Sequence, residues 1–242
     1  DKFDEGARAL ETTYKDGAPA QVAAYSRSPI LNLTGDEEKK KQGEKLADQV
    51  ASWISEKAPT GTTVEEKNAA RTIWFYVADV QAASRRPAKV VETYDRIKKQ
   101  FGINDETLGR LATWLKTQQK YDDARAEYRK FENKIEGTSQ VAYSFRQQKR
   151  YDEAVVTYQQ NISADTENQA KWNAEVAMTY REAKKYPEAI TVYQGLLKSD
   201  VDNTDTWLWH IANTYRDSGK YKEAIAWYKQ CNNFPSNYQQ LS

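Results

Sequence analysis

Apolar positions in this chain recur in a fixed relation to one another. Four short lines, KYDDARAEYRKF from Lys120, RYDEAVVTYQQN from Arg150, KYPEAITVYQGL from Lys185 and KYKEAIAWYKQC from Lys220, each carry a tyrosine, then alanine three residues on, then tyrosine seven on. The sets are Tyr121/Ala124/Tyr128, Tyr151/Ala154/Tyr158, Tyr186/Ala189/Tyr193 and Tyr221/Ala224/Tyr228. Offsets of three and seven put each set on one helix face. Upstream of each line stands a second matched segment, a large apolar residue, then Ala, then another large apolar residue: Leu111/Ala112/Leu115, Val141/Ala142/Phe145, Val176/Ala177/Tyr180 and Ile211/Ala212/Tyr215. The pattern predicts pairs of helices joined by tight turns. The anchor tyrosines advance by 30, 35 and 35 residues, which marks a repeat array and not a single compact core. Alanine at a fixed place on both helices has a steric reason, since two helix axes close to about 8 Å only where a side chain is nearly absent.

A weaker copy extends the array toward the N-terminus. Thr63 to Glu66 reads as a capping box, Trp74, Val77 and Ala78 keep the register, and Pro87, at a helix start where its missing N–H is harmless, opens a partner helix with Val90 and Tyr94. The spacing predicts five two-helix repeats between about Thr63 and Asn233, with the 30-residue repeat that ends near Gly137 clipped in its second helix or turn. The expected organisation is therefore a helical segment over 1–62 and the array over 63–242. Within 1–62, Lys2 to Tyr14 carries Phe3, Gly6 and Leu10 at the same offsets and reads as the second helix of a repeat. Ala18 to Tyr25 reads as a short helix stopped by Pro29, Asn32 to Gly35 as a turn, and Asp36 to Lys57 as one long helix with a stripe of Leu46, Val50, Trp53 and Ile54. Beyond Phe234-Pro235, Ser236 reads as an N-cap, with Leu241 in the register of Ile211. A chain that starts and stops inside repeats reads as a fragment of a longer array, whose open ends could stack on one another.

These residues resemble the tetratricopeptide repeat, a two-helix unit of about 34 residues with one small residue in its first helix and another early in its second. Ala112, Ala142, Ala177 and Ala212 match the first small position, and Ala124, Ala154, Ala189 and Ala224 the second. Trp172 and Trp207 match loosely the family's tryptophan near the repeat start, whereas its closing proline is missing between most repeats. The resemblance implies an all-α, right-handed α-solenoid superhelix whose first helices line a concave groove, where proteins of this family commonly hold extended peptides or partner helices.

Composition supports long solvated helices: charged residues make up 29% of the chain, and Gly and Pro number only 10 and 6 among 242 residues. A net charge of +1 gives no field to recruit nucleic acid, and the longest apolar run, Ile73 to Ala78, falls far short of a membrane span. With one histidine, His210, and one cysteine, Cys231, the chain has no HExxH, no Cys/His metal set and no intramolecular disulfide. It also lacks GxGxxG and GxxxxGK[ST]. The expectation is a protein without enzymatic activity, cofactor or metal. Richness in Gln, Asn, Thr and Tyr with a single Met leans toward an exported or periplasmic setting, with the cytoplasm also open.

On each first helix a second stripe runs at offsets of four and seven: Gly109/Thr113/Lys116, Ser139/Tyr143/Arg146, Ala174/Met178/Arg181 and Trp209/Asn213/Arg216. Stacked repeats turn its last members into a ladder of cations, Lys116, Arg146, Arg181 and Arg216, about 10 Å apart at ordinary helix spacing. With Tyr143, Met178, Trp209 and Asn213 beside them, these residues are expected to bind a protein or peptide partner, an acidic segment with apolar anchors being the best match. Lys and Asn are missing from the earlier stripe positions of the first two repeats, so the family's grip on C-terminal carboxylates is not expected. Two other roles stay open at this stage: an accessory region of a larger enzyme, and, disfavoured by the charge balance, a helical-repeat nucleic-acid binder.

Overall fold

The computed structural model describes residues 2–33 and 35–231. Among these there is no strand, and the chain runs through α1 (Lys2–Tyr14), α2 (Pro19–Asn32), α3 (Glu37–Ser55), α4 (Val64–Ala83), α5 (Pro87–Phe101), α6 (Asp105–Thr117), α7 (Tyr121–Tyr128), α8 (Lys134–Gln147), α9 (Tyr151–Ala164), α10 (Gln169–Glu182), α11 (Tyr186–Ser199), α12 (Thr204–Asp217) and α13 (Tyr221–Tyr228). No helix among the described residues is long and apolar enough to cross a membrane. The chain divides into two compact units, Asp1–Leu111 and Ala112–Ser242. The helix start read at Ser236, with Phe234, Pro235 and Leu241, lies outside the described residues, as do the side chain of Phe3 and Thr34 of the 32–35 turn.

In the first unit the capping signals act as the sequence implies. Asp36 accepts from the Lys39 N–H at 2.8 Å and starts α3. Thr63 and Glu66 close a reciprocal capping box at the head of α4. The α3 stripe of Leu46, Val50, Trp53 and Ile54 is buried together with Val22 and Ile30 of α2 and Val77 and Val80 of α4. One expectation fails: α2 does not stop at Pro29 but runs through it to Asn32. Val22, Ser26 and Ile30 are all buried on one face, and that packing holds the last turn in place. The carbonyl that a residue-29 N–H would have reached belongs to Tyr25, which is 54% exposed, so water can serve it.

In the second unit each helix packs on the next in chain order from α7 to α13. Ala112, Ala142, Ala177 and Ala212 are all 0% exposed, as steric notches must be. Into the notch regions fit residues of the following repeat: Ala142 shares a cluster with Trp172 and Val176, and Ala177 shares one with Trp207 and Ile211. The second tyrosine of each line, Tyr128, Tyr158, Tyr193 or Tyr228, is buried, while the first rides at the edge of the helix. Each inserted tryptophan is held by a hydrogen bond seven residues back, Trp172 Nε1 to Asp165 Oδ2 at 2.9 Å and Trp207 Nε1 to Asp200 Oδ2 at 3.1 Å. Those carboxylates also accept from Asn168 and Asn203. The recurring DxxN before each tryptophan is therefore a brace.

The hairpin turns are equally regular. Gln119, Lys149, Lys184 and Gly219 take φ of +59°, +59°, +60° and +78°. Three residues after the first helix of each pair, the chain closes back on it: Lys120 N donates to Leu115 O, Arg150 N to Phe145 O, Lys185 N to Tyr180 O and Lys220 N to Tyr215 O. This is a Schellman ending, which favours glycine in the left-handed position. Only the last turn uses one. The short repeat is clipped where the spacing demands: α7 has 8 residues where α9 has 14. Here α8 approaches α7 so closely that a Cβ on Gly137 would sit 2.5 Å from Tyr128 O, so the glycine is a steric necessity.

Candidate partner-binding groove

The wall formed by the first helices α6, α8, α10 and α12 carries the residues singled out in the sequence, and the structure sorts them into three kinds. Tyr143 and Trp209 are exposed, at 39% and 43%, and Met178 is half-buried between them in chain order. Asn213 is not on the surface. It is 1% exposed, with its amide donating to Trp209 O at 2.7 Å and its Oδ1 accepting from Tyr228 O–H at 2.9 Å. Its expected contact with a partner is thus corrected to an internal strut between α12 and α13. An asparagine one position from a notch alanine can point either way, and a buried tyrosine hydroxyl needing an acceptor decides it.

The cations form the third kind, and three of the four are engaged within the protein. Arg146 Nη1 meets Glu175 Oε2 at 2.6 Å, and its Nε lies 3.6 Å from Glu182 Oε2. Arg181 Nη2 meets Asp217 Oδ2 at 2.6 Å, and Arg216 Nη2 meets Asp217 Oδ1 at 3.1 Å. Arg146 and Arg181 each reach from one first helix to the next, so the ladder is first of all a set of stitches between repeats. Burial acts to raise the Asp217 carboxyl, but hydrogen bonds from Arg181 and Arg216 outweigh it and hold its pKa below the ordinary value of 3.8. Lys116 differs: among the described residues its Nζ meets no carboxylate, reaching Gln147 Oε1 at 3.4 Å and lying 5.6 Å from the centre of the Tyr143 ring. The acidic partners were the missed residues. Two of the three, Glu182 and Asp217, carry a sequence signal, since each stands directly after the next cation, Arg181-Glu182 and Arg216-Asp217; Glu175 carries none.

Beside Trp209 lies a recess of about 370 Å³ lined by Asp205, Thr206, Trp209, His210 and Cys231. His210 stacks on Tyr193 at 5.0 Å with an interplanar angle of 8°, and its Nδ1 is buried without a hydrogen-bond partner among the described residues. Cys231 is half-buried, with its Sγ 3.8 Å from Trp227 O, and burial pushes its thiol up. Among the described residues no cluster of His, Cys, Asp and Glu could hold a metal ion. Burial, with the Arg181 charge behind it, holds the His210 imidazole below its ordinary pKa of 6.5. The folded protein therefore binds that proton less readily than the unfolded chain. Its stabilising contribution is complete above pH 6.5 and falls as the pH drops through the interval below it. Urea unfolding of the wild type at pH 7.0 and 5.5 should show a lower midpoint in acid, and most of that drop should vanish in His210→Gln.

Residues 177–237 match the family model described as Tetratricopeptide repeat. Over that stretch the chain is similar to the tetratricopeptide repeat, and the notch-and-knob hairpins that precede it follow the same two-helix plan. No curated protein matches the chain. Many solved structures are similar to it, three of them as follows. A crystal structure of MamA protein shows 19% identity, covers 66% of this chain and 88% of its own, and has a TM-score of 0.45. The apo form of RapI shows 12% identity over 99% of this chain and 79% of its own, with a TM-score of 0.49. A structure described as the functional characterization of Pseudomonas aeruginosa pilF shows 13% identity over 90% of this chain and 97% of its own, with a TM-score of 0.42.

Proposed function

We propose that this chain is a non-catalytic scaffold that binds a segment of a partner protein along the first-helix wall of its second unit. The observation that carries the reading is the pair of exposed aromatic side chains, Tyr143 and Trp209, on a wall whose arginines are already balanced by Glu175, Glu182 and Asp217. Rings left in water at repeat-related helices, when every second tyrosine of the array is buried, suit anchors for apolar groups of a partner. Repeat arrays offer such continuous walls because each unit contacts only its neighbours and leaves one face free. The paired arginines would then act as a rigid polar rim, and Met178 as an adaptable floor between the two anchors.

The direct check is affinity capture from the native source with wild-type protein, a Tyr143→Ser/Trp209→Ser double variant and a Val156→Ser variant. Val156 is exposed on α9, a second helix. Partners recovered with wild type and with Val156→Ser should fall at least about tenfold with the double variant, as loss of two anchor side chains implies. Equal recovery with all three proteins would remove the wall from consideration. An RNA or DNA shift assay showing tight, salt-dependent binding would favour the nucleic-acid alternative instead.

A further inference from the structure

Beside the Arg146–Glu175 pair, two stitches between first helices follow one register rule. The cation of one repeat faces the residue that directly follows the cation of the next. Arg146 lies 3.6 Å from Glu182, and Arg181 2.6 Å from Asp217. Lys116 occupies the same rung one repeat earlier and faces Gln147 at 3.4 Å. The geometry of the rung is kept, but its second member is neutral. Lys116 has no ion pair among the described residues, and its other neighbours are two rings, Tyr143 at 5.6 Å and Tyr128 at 5.7 Å. A half-buried ammonium on rings, next to an exposed aromatic anchor, is a charge that no carboxylate among the described residues balances.

We propose that the partner balances it: an Asp or Glu side chain of the bound segment pairs with Lys116 while an adjacent apolar side chain packs on Tyr143. This rests on the reading of the first-helix wall as the partner site and fixes the chemistry of one place on it. A carboxylate is the fitting group because the rung provides one ammonium and one amide. Gln147 can turn its amide N–H toward the incoming oxygen, and Arg146, 5.2 Å from the same Tyr143 ring, is already committed to two glutamates. A polyanion would need several uncommitted cations in a row, and of the four cations of this ladder only Lys116 lacks an ion pair among the described residues.

The test uses fluorescence anisotropy at low salt, with two labelled probes: an octapeptide of alternating Leu and Glu, and the same peptide with Gln in place of Glu. Four proteins are compared: wild type, Lys116→Gln, Gln147→Glu, and Gln160→Glu as a control that adds the same charge at an exposed position on α9. Gln147→Glu puts inside the chain the counter-charge that the other rungs have, so it should melt no lower than wild type. The Glu peptide should bind wild type and Gln160→Glu alike, and about tenfold more weakly to both Lys116→Gln and Gln147→Glu. The Gln peptide should not distinguish the four. Equal affinity of the Glu peptide for wild type and Gln147→Glu overturns the proposal, as does failure of the Glu peptide to bind wild type. If both peptides bind equally and Tyr143→Ser abolishes both, the wall reading stands and the carboxylate subsite falls.

Discussion

Trp172→Ala should cost about 4 kcal/mol of unfolding free energy, the range for emptying a fully buried indole site. Trp172 is 2% exposed, packs with Ala142, Val155, Tyr158 and Val176, and donates to Asp165. Its removal leaves a void at the junction of two repeats. Urea denaturation followed by circular dichroism gives the number. Amide exchange gives the place: because stability in a repeat array is a sum of units and nearest-neighbour interfaces, protection should fall first in α8 to α10, with α3 unaffected. A loss under about 1 kcal/mol would mean that the repeats do not nest through this residue.

The second large effect approaches the same joint from the opposite side. Ala177→Leu adds three carbons at a 0% exposed position that faces Ala189, Tyr193, Trp207 and Ile211. Leucine is a good helix former, so propensity alone predicts almost no change. Overpacking between two helix axes predicts a loss of about 3 kcal/mol, because either the helices separate or the aromatic residues leave their rotamers. The same substitution at Ala126, which is exposed on α7, should be close to neutral, and this contrast isolates the notch from any general effect of leucine. Equal melting of the two variants would contradict the nesting.

Much of this was legible before any coordinates, for a physical reason. Tyr-x-x-Ala-x-x-x-Tyr is a contact rule written in sequence, since only one helix spacing makes alanine obligatory beside a large ring. That rule located α7, α9, α11 and α13, and the capping box at Thr63 located α4. What escaped depends on groups that are distant in sequence or on backbone conformations without a residue signature. Gln119, Lys149 and Lys184 sit in the left-handed region where glycine would be expected, so the turns showed no glycine to mark them. Pro29 has the local chemistry of a helix stop, overruled by buried neighbours on α2.

The site was half legible. Stripe offsets placed Tyr143, Met178, Trp209 and the four cations on one wall, but a stripe cannot say whether a charge is free. Glu182 and Asp217 lie 36 residues beyond the arginines they meet, and only stacking brings each pair within reach. Asn213 and Tyr143 share one repeat position, yet the polar residue is captured by a buried phenol in its repeat and the aromatic residue stays in water in its own. Repeat-related positions share geometry, not environment.

The measurement closest to the central claim is site-specific photo-crosslinking in the native source, with a benzophenone amino acid placed at Tyr143 in one protein and at Val156 in another. The account predicts a partner adduct from position 143, lost when Trp209→Ser is added, and none from position 156. Adducts that form at 156 and not at 143 would place the interaction on the second helices and contradict it.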